Sequence, residues 1–187
     1  MIDQFTEKQI KTIAKRAADL FLNSKEMLTI DADFFENRFF QSQKGVFIEI
    51  GTDKETISSL GNLKAGTNLL ENISFVVFHT LASLDEEALE KLKQNEYHLR
   101  VWIIEDFEQV NQFDTERFFD KLIIQRPGII INHDKDNSYC FLPKVWSEIF
   151  DPSTIMEKLA EHAGLNNEDW KDPENTIIIF KSTPLLI

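Results

Sequence analysis

Residues 139–170 restrict the possible fold more than any other part of this sequence. The stretch YCFLPKVWSEIFDPSTIMEKLAEHAGLNNEDW joins a short apolar run and a proline to a helical pattern that starts at Asp151 and ends before Gly164. Aspartate is a favoured helix N-cap, and the proline after it suits the first helical position because no N–H is needed there. Glycine suits the left-handed position after a helix. The stretch therefore predicts a strand, a stop and a capped helix, with Trp146 and Trp170 as buried anchors.

Apolar residues recur at helical spacing in four other segments of the chain. The first of these helices is predicted to start at Thr6, which would form a capping box with Gln9. Another is predicted to start at Ser83, with Glu86 as the partner in its capping box. A further helix is expected around residues 114–123. The remaining helix is predicted to be largely buried, because its apolar stripe is nearly continuous: Leu69, Leu70, Ile73, Val76, Val77 and Leu81.

Between these helices, the sequence shows the alternation and the β-branched residues that are typical of strands. Residues 45–50 predict a half-buried strand, residues 56–60 predict the strand that returns beside it, and a loop is expected to begin at Gly61. The other predicted strands are residues 97–104, 128–132, 138–142 and 176–182. The second and third of these form a hairpin that turns at residues 133–137. Because helices alternate with hairpins and not with crossovers, we predict an α+β fold with antiparallel sheets and flanking helices.

The composition favours a folded protein and disfavours several classes of partner. A length of 187 residues suits one sizeable domain or two small lobes, and a hydrophobic content of 42% can supply a core. The formal net charge of −12 is spread along the chain without a cluster of Lys or Arg to offset it, which disfavours nucleic-acid binding. The sequence shows no signal-peptide pattern and no apolar run long enough to cross a bilayer. We therefore expect a soluble, cytoplasmic protein that binds neither nucleic acid nor membrane.

The side chains that could perform chemistry form no recognisable constellation. The four histidines lack the spacing with which one element holds a metal, and no pair of cysteines accompanies them. The single cysteine, Cys140, lies in a predicted strand and is interpreted as a buried core residue. The sequence contains neither a nucleophile elbow nor a phosphate-binding loop. We expect no metal and no cofactor, and the sequence assigns no catalytic residue.

A family resemblance rests on five segments: GVFIEI at 45–50, GNLKAGTNLLENI at 61–73, PGIIIN at 127–132, FLPKVW at 141–146 and LAEHAGLNNEDW at 159–170. Together they cover nearly the whole chain and resemble the AMMECR-type domain, also called protein A of the AmmeMemoRadiSam system. The resemblance implies a single domain over residues 1–187, with a larger and a smaller lobe around a cleft and no independent linker. It also implies two partners, a Memo-type protein and a radical-SAM protein, in a system that modifies some substrate.

One segment departs from the family pattern. A Leu-Arg-Gly-Cys-Ile-Gly run is typical of the family, and the corresponding residues 56–61 read TISSLG here. Ile57 therefore stands at the position of the arginine, and Ser59 stands at the position of the cysteine. A serine hydroxyl is much less acidic than a thiol, so it does not replace a cysteine as nucleophile or metal ligand unaided. We infer a diverged family member that acts as a binding or partner component.

The same segment contains the polar, glycine-bearing corner that coincides with a family motif. Ser58, Ser59, Gly61 and Asn62 are therefore the candidates for a ligand-binding site. An ordinary hairpin and loop would explain these residues without any ligand. The alternative function is a small-molecule enzyme whose cleft lies near Ser59, with a carboxylate or a histidine supplied by the fold.

Overall fold

The computed structural model describes residues 2–31, 37–53, 55–133 and 138–187. The α-helices in these ranges are α1 (Gln4–Ser24), α2 (Leu69–Ala82), α3 (Glu86–Gln94), α4 (Thr115–Gln125) and α5 (Pro152–His162). The strands are β1 (Lys44–Thr52), β2 (Glu55–Lys64), β3 (Tyr97–Val110), β4 (Gly128–Asn132), β5 (Ser138–Phe141) and β6 (Thr176–Leu186). Each helix and strand predicted from the sequence has a counterpart here. Of the predicted hairpin turn, residues 134–137 lie outside the described residues.

The strands in the described part of the chain form one sheet in the order β2-β1-β3-β6-β4-β5. β1 pairs with β2 and with β3, and β4 pairs with β5 and with β6, all in antiparallel register. This arrangement confirms the predicted α+β class with antiparallel pairing. Two compact units divide the chain, one made of residues up to Ile104 together with Thr183–Ile187, and the other of Glu105–Ser182. β3 and β6 each contribute residues to both units.

The core of the first unit lies between β1 and the helices α1 and α2. Helix α2 is buried along its apolar stripe, as predicted, because it packs against both α1 and β1. The aliphatic residues on one face of β1 belong to this core: Val46, Ile48 and Ile50. The other face of β1 is buried as well, since Phe47 is only 6% exposed and Glu49 only 7%. The prediction of a half-buried strand was wrong, because this second face also packs, with Phe47 opposite Trp102 of β3.

Two helix starts differ from their predicted positions. The N-cap of α1 is Asp3, whose carboxylate accepts hydrogen bonds from the backbone N–H and the hydroxyl of Thr6, both at 2.8 Å. These bonds favour the ionised form, so they hold the pKa of Asp3 below its usual value. The N-cap of α3 is Asp85, and Ser83 instead follows the last turn of α2. In both places the capping-box prediction was wrong, because a nearby aspartate forms the cap instead. The negative charge of an aspartate at the N-terminus also interacts favourably with the helix dipole.

The second unit contains the segment that was expected to restrict the fold. Asp151 is the N-cap of α5, with its carboxylate 2.7 Å from the N–H of Thr154, and Gly164 has φ of 77° after the helix. These features confirm the predicted capped helix. Trp146 and Trp170 are 4% and 1% exposed and belong to the core of this unit. They serve as the buried anchors that the sequence predicted.

Trp146→Ala and Trp170→Ala should each lower the free energy of unfolding by about 3–5 kcal/mol, because each removes a buried indole. The phenylalanine variants should differ from each other. The indole N–H of Trp146 donates to the carbonyl of Pro127 at 2.8 Å, whereas that of Trp170 has no hydrogen-bond partner among the described residues. We expect Trp170→Phe to be milder than Trp146→Phe by about 1 kcal/mol.

Urea unfolding followed by circular dichroism measures these differences. Midpoints that stay at the wild-type value in both alanine variants would contradict the burial of the two rings. Equal midpoints for the two phenylalanine variants would contradict the role of the bond to Pro127.

Candidate functional site

All four residues predicted to bind a ligand lie in β2, and none lies in a loop. The expected loop at Gly61 was wrong, because the pairing of β1 with β2 continues as far as Lys44 opposite Lys64. Among the described strands, β2 stands first in the sheet order and pairs with β1 alone, so it is an edge strand. An extended backbone at an edge, and not a flexible corner, therefore carries the four candidates.

The alternation of side chains along β2 divides the candidates between two faces. Ser59 and Gly61 are opposite Glu49 and Phe47 of β1, on the face away from the aliphatic core residues of that strand. Ser58 and Asn62 are opposite the core residues Ile50 and Val46, on the other face. The four residues therefore cannot line one site together, and each pair has its own surroundings.

A buried carboxylate dominates the surroundings of Ser59. The hydroxyl of Thr56 donates to Oε1 of Glu49 at 2.9 Å, and the indole N–H of Trp102 donates to Oε2 at 3.2 Å. Nη1 of Arg100 lies 3.7 Å from Oε1. Both oxygens of Glu49 are thus engaged. The exposed hydroxyl of Ser59, next to this group across the strands, has no hydrogen-bond partner among the described residues.

In the part of the chain that the structure describes, this arrangement provides a nucleophile without a base. Activation of a serine requires a general base within hydrogen-bond reach of the hydroxyl. The carboxylate of Glu49, the residue opposite Ser59, accepts bonds from other donors instead, and it holds together Thr56 of β2 and Trp102 of β3. A cross-strand anchor is the role that this geometry supports.

A cavity with a volume of about 410 Å³ lies on the face of β2 that carries Asn62. A volume in this range is typical of pockets for small molecules. Asn62 is the one predicted site residue in its wall. Among the described residues, the lining is Met27, Leu28, Thr29, Ile30, Asn62, Gly66, Thr67, Glu71, Asn72, Ser74 and Phe75. Apolar side chains from the segment after α1 and from α2 therefore face a few amides and hydroxyls.

A pair of asparagine side chains forms the polar part of this wall. The amide nitrogen of Asn62 donates to the side-chain oxygen of Asn72 at 2.9 Å, and the amide nitrogen of Asn72 donates back at 3.1 Å. Asn72 also donates to the backbone carbonyl of Lys44 at 3.1 Å, and Asn62 accepts from the N–H of Val46 at 3.4 Å. The pair thus joins α2 to β1 and β2 and fixes the position of Asn62.

Sequence reasoning missed most of this cavity, including Asn72 and Ser74. Asn72 is 3% exposed, and its position in α2 is a signal that could have revealed it, because a polar residue interrupts an otherwise apolar stripe. The hydroxyl of Ser74 donates to the carbonyl of Leu28 at 2.6 Å and thereby holds the segment after α1 against the helix. No local pattern in residues 27–30 predicts this contact, since it joins residues 46 positions apart.

The remaining groups that could perform chemistry are dispersed. Within the described ranges, no three His, Cys, Asp or Glu side chains come together as ligands for a metal ion. The ring of His162 stacks on that of Tyr139 at 4.9 Å, and Nδ1 of His133 lies 2.8 Å from the side-chain oxygen of Asn175. Cys140 is half-buried and is not among the core residues of the second unit, so its interpretation as a buried core residue was wrong. Desolvation of the thiol still raises its pKa, so it carries little thiolate at neutral pH. No helix in the described residues has the length and apolarity that a bilayer crossing needs.

The sequence model of the AMMECR1 family matches residues 11–185. This chain belongs to the AMMECR1 family. Among solved structures, the crystal structure of the uncharacterized protein PH0010 from Pyrococcus horikoshii is similar, with a TM-score of 0.76 and 19% sequence identity. The similarity covers 94% of this chain and 88% of that chain, and at this identity it shows a common fold. A search of curated proteins finds no match to the sequence.

In this AMMECR1-family chain, Ile57 and Ser59 stand where the typical family run has an arginine and a cysteine, and they have different surroundings. Ile57 is half-buried, lies beside an irregularity in the register between β1 and β2, and packs against the core of the first unit. Ser59 is exposed on the opposite face. Ile57 therefore contributes to the packing of the core, and it takes no part in the surroundings of Ser59.

Gly61 should be intolerant of any side chain. A Cβ at this position would lie 2.4 Å from the ring of Phe47 and 2.4 Å from the backbone carbonyl of Val46, and the carbonyl cannot move without disturbing β1. We expect Gly61→Ala to lower the free energy of unfolding by about 1–3 kcal/mol. Gly66→Ala is the matched control, because a Cβ there meets no atom within 4 Å.

Chemical denaturation of the two glycine variants tests this prediction. Gly66→Ala should leave stability unchanged or raise it by about 0.4–1 kcal/mol through the lower entropy of the unfolded chain. Equal stability of the two variants would show that the close approach of β2 to Phe47 is not a real constraint.

Proposed function

We propose that this AMMECR1-family chain is a binding component that holds a small molecule in the cavity beside Asn62 without transforming it. The observation that carries the proposal is the cavity itself, with a volume of about 410 Å³ and a wall of apolar side chains, amides and hydroxyls. The part of the lining that the structure describes includes no histidine, cysteine or lysine, and its asparagine pair is engaged in hydrogen bonds. Such a wall provides shape and a few polar contacts, which is what binding requires.

The partners that we propose follow from family membership. As an AMMECR1-family domain, the chain acts in the cytoplasm with a Memo-type protein and a radical-SAM protein, in the AmmeMemoRadiSam system. The chemistry of the modification then resides in the partners, and this chain supplies the bound molecule or the docking platform. The net charge of −12 supports protein partners over nucleic acid, because an acidic surface repels phosphate backbones.

A second candidate function is catalysis at Ser59, and one observation favours it. Ser59 is the cross-strand neighbour of Glu49, and Glu49 is in turn opposite Arg100, so three polar residues lie in a row across β2, β1 and β3. A hydroxyl, a carboxylate and a guanidinium are groups from which a hydrolytic site could be built. The engagement of both Glu49 oxygens makes this candidate weaker than the binding function.

The ligand-binding proposal can be tested with 2-phenylethanol, a small, neutral and mainly apolar probe, by saturation-transfer NMR. We expect saturable binding to the wild-type chain with a Kd on the order of 1 mM or tighter. Gly66→Trp should abolish it, because the open space at this cavity-lining position allows an indole to extend over the cavity. Ser59→Ala is the control and should bind the probe as the wild type does. Binding that survives Gly66→Trp would place the probe elsewhere and contradict the proposal.

The partner proposal needs a separate experiment. Tagged wild-type chain should retain a Memo-type or a radical-SAM protein from the same organism in a pull-down with purified proteins. Ser59→Ala should retain them equally well if the chain is a binding component. Failure with both proteins would contradict the proposed system, whereas a reaction product that depends on Ser59 would favour the enzyme.

A further inference from the structure

We propose that the cavity beside Asn62 is selective for amphipathic amines, that is, for molecules with an apolar body and a protonated amino group. The inference rests on the proposed function, since it names the class of ligand for the same cavity. It is carried by one charged residue in the cavity wall, Glu71, and by the apolar side chains that surround it. The amino group would bind the carboxylate of Glu71, and the body of the molecule would lie along the apolar wall.

Of the described residues that line the cavity, Glu71 is the single charged one. It lies half-buried in the first turn of α2. No cation pairs with its carboxylate among the described residues, in contrast to Glu7, Glu90 and Glu108, which pair with lysines. A carboxylate in a partly desolvated and mainly apolar wall attracts a cation more strongly than one in open water does. An anionic ligand would be repelled by the same group.

The helix cap does not account for this carboxylate. Asn68 is the N-cap of α2, and its side-chain oxygen accepts from the N–H of Glu71 at 3.0 Å. In a complete capping box, the side chain of the third residue would return a bond to the N–H of the N-cap. The described residues show the bond from Glu71 N–H to Asn68 but no return bond. The carboxylate of Glu71 is thus left for a ligand.

Phe75 extends the same surface by one helical turn. Residues four apart lie on one face of a helix, so the ring of Phe75 follows Glu71 along the cavity wall. Phe75 is 49% exposed, and Met27, which also lines the cavity, is 47% exposed. Large apolar side chains that remain accessible around a cavity are typical of binding sites. An aromatic ring close to the carboxylate also favours a cation through its negatively polarised face.

The neutral polar groups of Asn72 and Ser74 contribute shape more than charge to the cavity. The amide of Asn72 already donates to Lys44 and Asn62, and the hydroxyl of Ser74 donates to Leu28. A ligand therefore gains little by replacing these bonds. The selectivity of the cavity should then depend mainly on the charge of Glu71.

The experiment compares 2-phenylethylamine with 2-phenylethanol, which have similar size and differ in charge. We expect the wild-type chain to bind the amine roughly tenfold more tightly than the alcohol by isothermal titration calorimetry or ligand-observed NMR. Glu71→Gln should remove this preference, so that the variant binds the amine and the alcohol with similar affinity. Glu86→Gln, an equal loss of charge in the exposed first turn of α3, should keep the preference and thereby control for the net charge of the chain.

The outcomes separate this inference from the function on which it rests. If Gly66→Trp blocks the alcohol but the wild type binds amine and alcohol equally, the amine selectivity is wrong and the binding function stands. A preference that survives Glu71→Gln, or tighter binding of the anion 3-phenylpropionate, would also overturn the selectivity. If the wild type binds none of the three probes, both proposals fail. Circular dichroism of Glu71→Gln should match the wild type, so that a lost preference reports the site and not the fold.

Discussion

One buried amide, that of Asn72, joins α2 to the strands β1 and β2, and both α2 and β2 contribute residues to the cavity wall. Its nitrogen donates to the backbone of β1 at Lys44 and to the side chain of Asn62 on β2, while its own residue belongs to α2. A buried amide without partners would cost about 1–3 kcal/mol, so these bonds make one arrangement of helix and strands strongly preferred. The position of the edge strand β2 is thus fixed by hydrogen bonds to α2 as well as by its pairing with β1. The shape of the cavity depends on that arrangement.

Local patterns predicted the elements well and the site poorly. The capped helix after Asp151 could be predicted because its signals act within a few residues: a carboxylate that caps, a proline that fits and a glycine with positive φ. The starts of α1 and α3 were less certain because several residues capable of capping lie close together there. The hydrogen bonds of Asn72 and the contact of Ser74 with Leu28 join chain segments that are distant in sequence. The spacing of apolar residues along the sequence does not predict such contacts.

Gly61 shows how a correct observation led to a wrong interpretation. A glycine suggested a flexible corner, and a corner suggested a site that would gather Ser58, Ser59 and Asn62. In the structure, Gly61 is a regular strand residue, and the absence of a side chain lets the ring of Phe47 lie against its backbone. The strand then turns its neighbours alternately to opposite faces. Asn62 lines the cavity, whereas Ser59 lies beside Glu49, and the two possible functions are thereby separated in space.

The raised pKa of the Cys140 thiol has a practical consequence for spectroscopy. Alkylating reagents attack the thiolate, so the native thiol should react slowly at neutral pH, and the chain contains no other cysteine. A cysteine introduced at an exposed position, such as Ser59→Cys, would therefore be labelled preferentially without removal of the native residue. A single fluorophore or spin label on the edge strand would then report directly on events at this surface.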